Sequence, residues 1–248
     1  MCGRYTSTTP AAVLASTFAV DEVAVDALDA RWNVAPTTDV PVVATRSSGA
    51  RVLGTMRWGL VPPWARGPEV GARMINARAE GLASRAAFRA PLARRRCIVP
   101  ADAFYEWQAA GAGGRRAPKV PWAFARLDGA PMAFAGLWET WRDPAAGPGA
   151  PALRTWAVVT TAANACVARV HHRMPVVLGP GQWDRWLAPE PLDADELAAV
   201  CAPAPDAWFS AWPVGTAVNH VANDGPTLLE PAPRAPSPTG SDTPRLGL

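Results

Sequence analysis

The cysteine at position 2 can do chemistry that no other residue in the chain can. A small residue after the initiator methionine favours removal of Met1, which leaves a free α-amine and a thiol on one residue, a 1,2-aminothiol. The amine has an ordinary pKa of about 7.7 to 8.0 and the thiol about 8.5, so both reactive forms are accessible near neutral pH. An aldehyde condenses with the amine to a Schiff base, and the thiol then closes on the same carbon to give a five-membered thiazolidine. That second step is intramolecular and gains from a high effective molarity. The same aminothiol also suits an N-terminal-nucleophile hydrolase, in which the thiolate attacks an acyl group and the amine acts as base. A cysteine near a terminus can equally be a plain packing residue. The other cysteines, Cys97, Cys166 and Cys201, lie far apart with no paired spacing. Neither a disulfide framework nor a zinc site is indicated, and no metal or cofactor is expected.

Proton handling has two candidates. His171 stands in Val170-His171-His172-Arg173-Met174-Pro175, where a histidine beside an arginine can shuttle protons at an anionic site, or can be purely structural. Glu106 is enclosed by aromatics in Phe104-Tyr105-Glu106-Trp107. If it points inward, burial raises its pKa and lets it exchange protons with an amine or imine; if it points outward it is an ordinary strand carboxylate. Asn76 and Arg78 alternate in Ile75-Asn76-Ala77-Arg78, so from an extended segment both reach the same side, an amide to orient a nucleophile and a guanidinium to grip a phosphate.

Arginine dominates the basic residues, with Lys119 the single lysine. Net charge is only +3, yet seven arginines between Arg73 and Arg96 face one acid, Glu80, which suggests a polyanion-facing surface. Aromatics beside arginines, as in Met56-Arg57-Trp58-Gly59-Leu60-Val61-Pro62-Pro63-Trp64, can stack unpaired bases. Those features alone describe a non-covalent single-strand binding module, the third reading beside aldehyde capture and hydrolysis.

The elements that must position these groups are short. A helix is expected after Thr9-Pro10, with Thr9 as N-cap, and further helices over about 84–94, 181–187 and 193–201, the last opened by an Asp-x-x-Glu capping pattern. Strands are expected over 40–45, 52–58, 97–99, 104–107, 122–127, 132–137, 155–161 and 175–178, broken by Gly and Pro. Strands and helices do not alternate strictly. The expected fold is therefore a single α+β domain with a mostly antiparallel, curled or barrel-like sheet and flanking helices. Hydrophobic residues make up 49% of the 248, enough for one sizeable core. No run of 18 apolar residues exists, so no membrane span is expected, and a cytoplasmic monomer is the default. From residue 232 to 248 the Pro-, Ser- and Arg-rich sequence reads as a disordered tail outside a 1–231 domain.

Seven ordered motifs run through nearly the whole chain: MCGRY at the start, RWNVAPT (31–37), MRWGLVPPW (56–64), INARAE (75–80), RRCIVPADAFYEW (95–107), HHRMPVVL (171–178) and VNHVANDGPTLLEP (218–231). Together they resemble the SOS-response-associated peptidase family of abasic-site processing proteins. The resemblance implies that Cys2 is the crosslinking nucleophile once Met1 is removed, that Asn76 orients it, and that Glu106 and His171 handle protons around imine and ring. It implies further that Arg4, Asn33, Trp64, Arg78, Arg85 and Arg173 line the path of single-stranded DNA containing abasic sites. A reversible thiazolidine crosslink, weak lyase action and self-processing that exposes Cys2 are the expected activities.

Overall fold

Short runs of β-branched and aromatic residues, punctuated by Gly and Pro, fold as short strands. In the computed structural model, which describes residues 2–109, 119–147 and 149–232, fourteen strands are assigned. They are β1 (Tyr5–Ser7), β2 (Glu22–Val23), β3 (Arg31–Val34), β4 (Asp39–Thr45), β5 (Arg51–Trp58), β6 (Asn76–Arg78), β7 (Arg96–Ala101), β8 (Ala103–Gln108), β9 (Val120–Arg126), β10 (Met132–Trp141), β11 (Leu153–Ala162), β12 (Arg173–Pro175), β13 (Val177–Leu178) and β14 (Phe209–Pro213). The α-helices are α1 (Ala11–Thr17), α2 (Ala86–Arg94), α3 (Ala165–Ala168), α4 (Pro180–Leu187) and α5 (Ala194–Val200). No helix is long and apolar enough to cross a membrane, among the described residues.

The fold is a single α+β domain, as the sequence patterns imply. Antiparallel pairing runs β5–β4–β7–β10–β11, and a parallel pairing of β11 with β5, Thr155 opposite Arg57 and Trp156 opposite Trp58, closes these five strands into a barrel. A second sheet has the order β14–β9–β8–β1–β3. Successive residues on the barrel strands serve different clusters. Val42, Val99, Phe134 and Val158 pack with Tyr5, Phe104 and Phe124 of the second sheet, while Val43, Ile98, Ala135 and Val159 pack with Leu14, Phe88 and Trp186 of the helices. The period-2 alternation of a strand thus binds sheet to barrel on one side and helix to barrel on the other, which is why these strands read as continuous apolar runs. Trp58 and Trp156 stack at 5.3 Å, with Tyr5 edge-on to Trp58 at 5.4 Å.

Two of the differences from the expected boundaries have plain causes. The first helix begins at Ala11 with Pro10 at the cap position, because the Thr9 hydroxyl is committed to Asp102 and caps nothing. The run 175–178 divides into β12, paired with β11, and β13, paired with β10, so one apolar segment serves two neighbours. The expected capping pattern at α5 is present: Asp193 accepts from the Glu196 N–H at 2.8 Å and Glu196 accepts from the Asp193 N–H at 2.9 Å. Of the expected tail, positions 233–248 lie outside the described residues.

Candidate functional site

Position 2 is placed by β1, which is held on both sides. Tyr5 pairs with Val34 of β3 and with Phe104 of β8, and the Tyr105 N–H donates to the Arg4 carbonyl at 3.0 Å. This antiparallel register brings the start of the chain alongside the end of β8, where Glu106 lies. The strand is pinned at its other end by Asp102, whose Oδ2 accepts from the Thr8 N–H, the Thr8 hydroxyl at 2.9 Å and the Thr9 N–H at 3.2 Å, while Oδ1 accepts from the Thr9 hydroxyl. Bonds to an ionised acceptor are the stronger kind. Asp102 is therefore a positioning residue that local spacing hides, since its partners lie 93 and 94 residues earlier.

Cys2 is 1% exposed, and burial, reinforced by the negative charge of Glu106, pushes its thiol far up from the ordinary cysteine value. Glu106 is 3% exposed, and burial raises its carboxyl as well. Burial lowers His171, whose Nδ1 lies 3.9 Å from Glu106 Oε1. Nδ1 of the ring lies 3.0 Å from the backbone nitrogen of Arg173 and 3.1 Å from its carbonyl oxygen, so the Arg173 backbone holds the ring in place. The turn bearing His171 is built by α3, which Asn164 caps by accepting from the Val167 N–H, and His171 N–H donates to the Val167 carbonyl at 2.9 Å. Gln108, two residues beyond Glu106, donates to the Arg169 carbonyl at 2.9 Å and ties β8 to this turn. Cys2, Glu106 and His171 thus form one cluster at the chain's start.

Asn76 enters through an exchange of glycines. Gly59 has φ +114°, and a Cβ there would stand 2.6 Å from the Gly71 carbonyl oxygen; a Cβ on Gly71 would stand 2.5 Å from that of Gly59. Only two glycines allow the backbones this close. The Leu60 N–H then donates to the Met74 carbonyl at 3.1 Å and Trp58 Nε1 to the Ile75 carbonyl at 3.0 Å, delivering β6 to its parallel pairing with β11, Asn76 opposite Val158. Among the described residues, both side-chain amide atoms of Asn76 are buried without a hydrogen-bond partner. A buried amide left in that state costs about 1–3 kcal/mol, which favours an external partner.

The residues implied for the DNA path divide into two groups. Arg78 and Arg85 are exposed, and line a groove of about 500 Å³ with Glu80, Ser84, His172 and Arg173. Trp64 is 61% exposed after two prolines, its loop anchored where Trp141 Nε1 donates to the Ala65 carbonyl at 2.8 Å. Arg4, Asn33 and Arg173 have internal partners. Arg4 Nη1 donates to Asn33 Oδ1 at 2.7 Å and to the Val218 carbonyl at 2.8 Å, and Asn33 Nδ2 donates to the Asn223 and His220 carbonyls at 2.8 and 3.0 Å. These bonds fasten the segment 218–223 over β1 and β3. Arg173 is 8% exposed and grips Glu80 and Thr160.

Comparisons with known proteins identify the family. A family model described as SOS response associated peptidase (SRAP) matches residues 1–221. The abasic site processing protein YoqW of Bacillus subtilis is 36% identical over 233 residues, covering 93% of this chain and 99% of its own. YedK of Escherichia coli is 33% identical over 207 residues, 81% of this chain and 84% of its own, and HMCES of Gallus gallus 31% over 249 residues, 87% and 71%. A solved structure from Bacteroides thetaiotaomicron superposes with a TM-score of 0.79 at 24% identity, covering 93% of this chain and 100% of that one, a likeness of fold.

Proposed function

The chain belongs to the SOS response associated peptidase family, and on that premise we propose that it captures abasic sites in single-stranded DNA by condensing the Cys2 aminothiol with the sugar aldehyde. The observation that carries this reading is the cluster of Cys2 with Glu106 and His171, the latter two 3.9 Å apart, at the one residue able to present an amine and a thiol together. The relatives YoqW, YedK and HMCES are named as abasic site processing proteins, which supports the same substrate.

The electrostatics favour an order of events. With its pKa raised, the thiol keeps its proton, so the neutral α-amine attacks the aldehyde carbon first. The carbinolamine loses water, with a proton supplied to the departing hydroxyl by Glu106 or His171, and leaves an imine. Sulfur then adds to the imine carbon; the thiol proton passes through the Glu106–His171 pair to the ring nitrogen. Amine, thiol and aldehyde become thiazolidine and one water. A carboxylate whose pKa is raised is a stronger base than an exposed one, which suits it to deprotonate a reluctant thiol. The same groups run the sequence backwards, giving release, and an imine that persists is open to β-elimination, giving weak lyase action.

Asn76, with both amide atoms awaiting partners, orients the amine or the incoming sugar, and Arg78, Arg85 and Trp64 receive the strand. The test is chemical. Wild-type protein mixed with an abasic oligonucleotide should give an adduct that survives denaturant without reductant, whereas Cys2→Ala, which keeps an α-amine and lacks sulfur, should give only an imine that borohydride must trap. An equally stable adduct from Cys2→Ala without reductant would remove sulfur from the linkage and overturn the proposal.

A further inference from the structure

Arg173 is an enclosed guanidinium held by an open acid. Its side chain is 10% accessible, whereas that of Glu80 is 61% accessible. Nη1 donates to Glu80 Oε1 at 2.6 Å, and Nη2 donates to Glu80 Oε2 at 3.0 Å and to the Thr160 carbonyl at 2.6 Å. Two parallel N–H groups on a carboxylate is also the geometry in which a guanidinium takes a phosphate. The pair lies in the groove with Arg78 and Arg85, and Glu80 is the one acid among the groove's lining residues. Glu80 rides on the short turn Ala79–Gly81 directly after β6, while the backbone of Arg173 is fixed by the pairing of β12 with β11, Arg173 opposite Ala162.

We propose that Glu80 is a displaceable stand-in for a DNA phosphate: in the free protein it occupies the two-pronged face of Arg173, and a backbone phosphate entering the groove takes its place. This rests on the function proposed above. The exchange swaps one anion for another on the same cation, so an incoming phosphate gains little at Arg173 and the displaced carboxylate repels the strand. Undamaged DNA is therefore held weakly and let go. Long residence comes only from the bond at Cys2. Because the backbone of Arg173 stays in its strand, it holds His171 throughout, and the exchange leaves the proton-handling ring undisturbed.

Glu80→Gln keeps the shape and one acceptor and removes the charge. Binding to an intact single-stranded oligonucleotide, titrated over a range of salt, should be tighter than wild type and more steeply salt-dependent. Log affinity falls by about 0.7 per log salt for each phosphate neutralised on a single strand, so one further phosphate means that a fourfold rise in salt costs the variant about 2.6-fold more affinity. Excess intact oligonucleotide should also inhibit adduct formation by the variant more strongly than by wild type. Glu80→Asp, which keeps the charge, should retain the wild-type slope, and melting curves of both variants report whether they fold. Weaker binding by a folded Glu80→Gln protein would mean that Glu80 merely props Arg173, and unchanged affinity and slope would mean that no phosphate reaches it; either overturns the inference alone. Absence of any oligonucleotide binding by wild type would overturn the proposed function and this inference with it.

Discussion

Asn33 offers a sharp separation between holding the protein together and holding DNA. It is 7% exposed, and its amide is spent inside the molecule: Oδ1 takes the Arg4 Nη1 donor at 2.7 Å and Nδ2 serves the Asn223 and His220 carbonyls at 2.8 and 3.0 Å. Asn33→Ala removes two neutral bonds, worth about 0.5–1.5 kcal/mol each, and one to a charged donor, worth about 1.5–3 kcal/mol. Some water reaches the freed groups, so the expected net loss is about 3 kcal/mol. For a domain of this size 1 kcal/mol moves the melting temperature by about 2–4 °C, which predicts a fall of about 6–12 °C. Affinity for an intact single-stranded oligonucleotide, measured well below the melting range, should be unchanged. Adduct formation should slow, because Arg4 and the 218–223 segment no longer brace the strand that carries Cys2. Thermal melting and oligonucleotide titration on the same sample decide the matter. An unchanged melting temperature with a tenfold loss of affinity, about 1.4 kcal/mol, would make Asn33 a DNA contact and refute the reasoning.

Further outcomes are expected. The rate of adduct formation should fall with acidification as the α-amine protonates below about 8, and bend a second time where Glu106 protonates, above the ordinary carboxylate range because its pKa is raised; Glu106→Gln should abolish only that second bend in a pH–rate profile. The same raised pKa means the folded state holds the Glu106 proton more tightly than the unfolded chain, so stability is lost as pH rises through the unfolded and folded values, and Glu106→Gln should melt higher than wild type at pH 8 and equally at low pH. His171→Ala should slow adduct formation or its reversal at unchanged oligonucleotide affinity, while Arg78→Ala should lower affinity and reduce the single-strand salt slope by about 0.7, both read from salt titrations. Gly59→Ala places a Cβ 2.6 Å from the Gly71 carbonyl oxygen at φ +114° and should cost about 3 kcal/mol or more, visible as a large drop in melting temperature.

What the sequence reveals and hides follows from the range of each interaction. The long apolar strands β4, β5, β10 and β11 are plain in the alternation and β-branching of their residues, and the cap of α5 is plain because Asp193 and Glu196 are three positions apart. The strands β1, β3 and β14 carry polar residues or proline and exist by pairing with distant partners, so composition does not mark them. Glu106 reads from pattern as either inward or outward; in the structure it is buried, two residues along β8 from Phe104 and so on the same face of the strand, the face that packs in the core with Cys2. Asp102 and Glu80 show the same limit at the site. Each carboxylate acts on groups more than ninety residues away in sequence, and no local spacing announces that.

The separations that brace β1 also set a timetable for synthesis. Tyr5 pairs with Phe104, and Asn33 closes on the carbonyl of His220, 187 positions later. At about 5–20 residues per second, roughly 10–40 seconds separate emergence of the N-terminus from arrival of the segment that closes over it. Until Glu106 and then His171 are made and β8 pairs with β1, the aminothiol has neither beside it, and it meets whatever small aldehydes the surroundings hold with only its intrinsic reactivity. Competence at position 2 is therefore among the last properties the nascent chain acquires, although position 2 is among the first residues made.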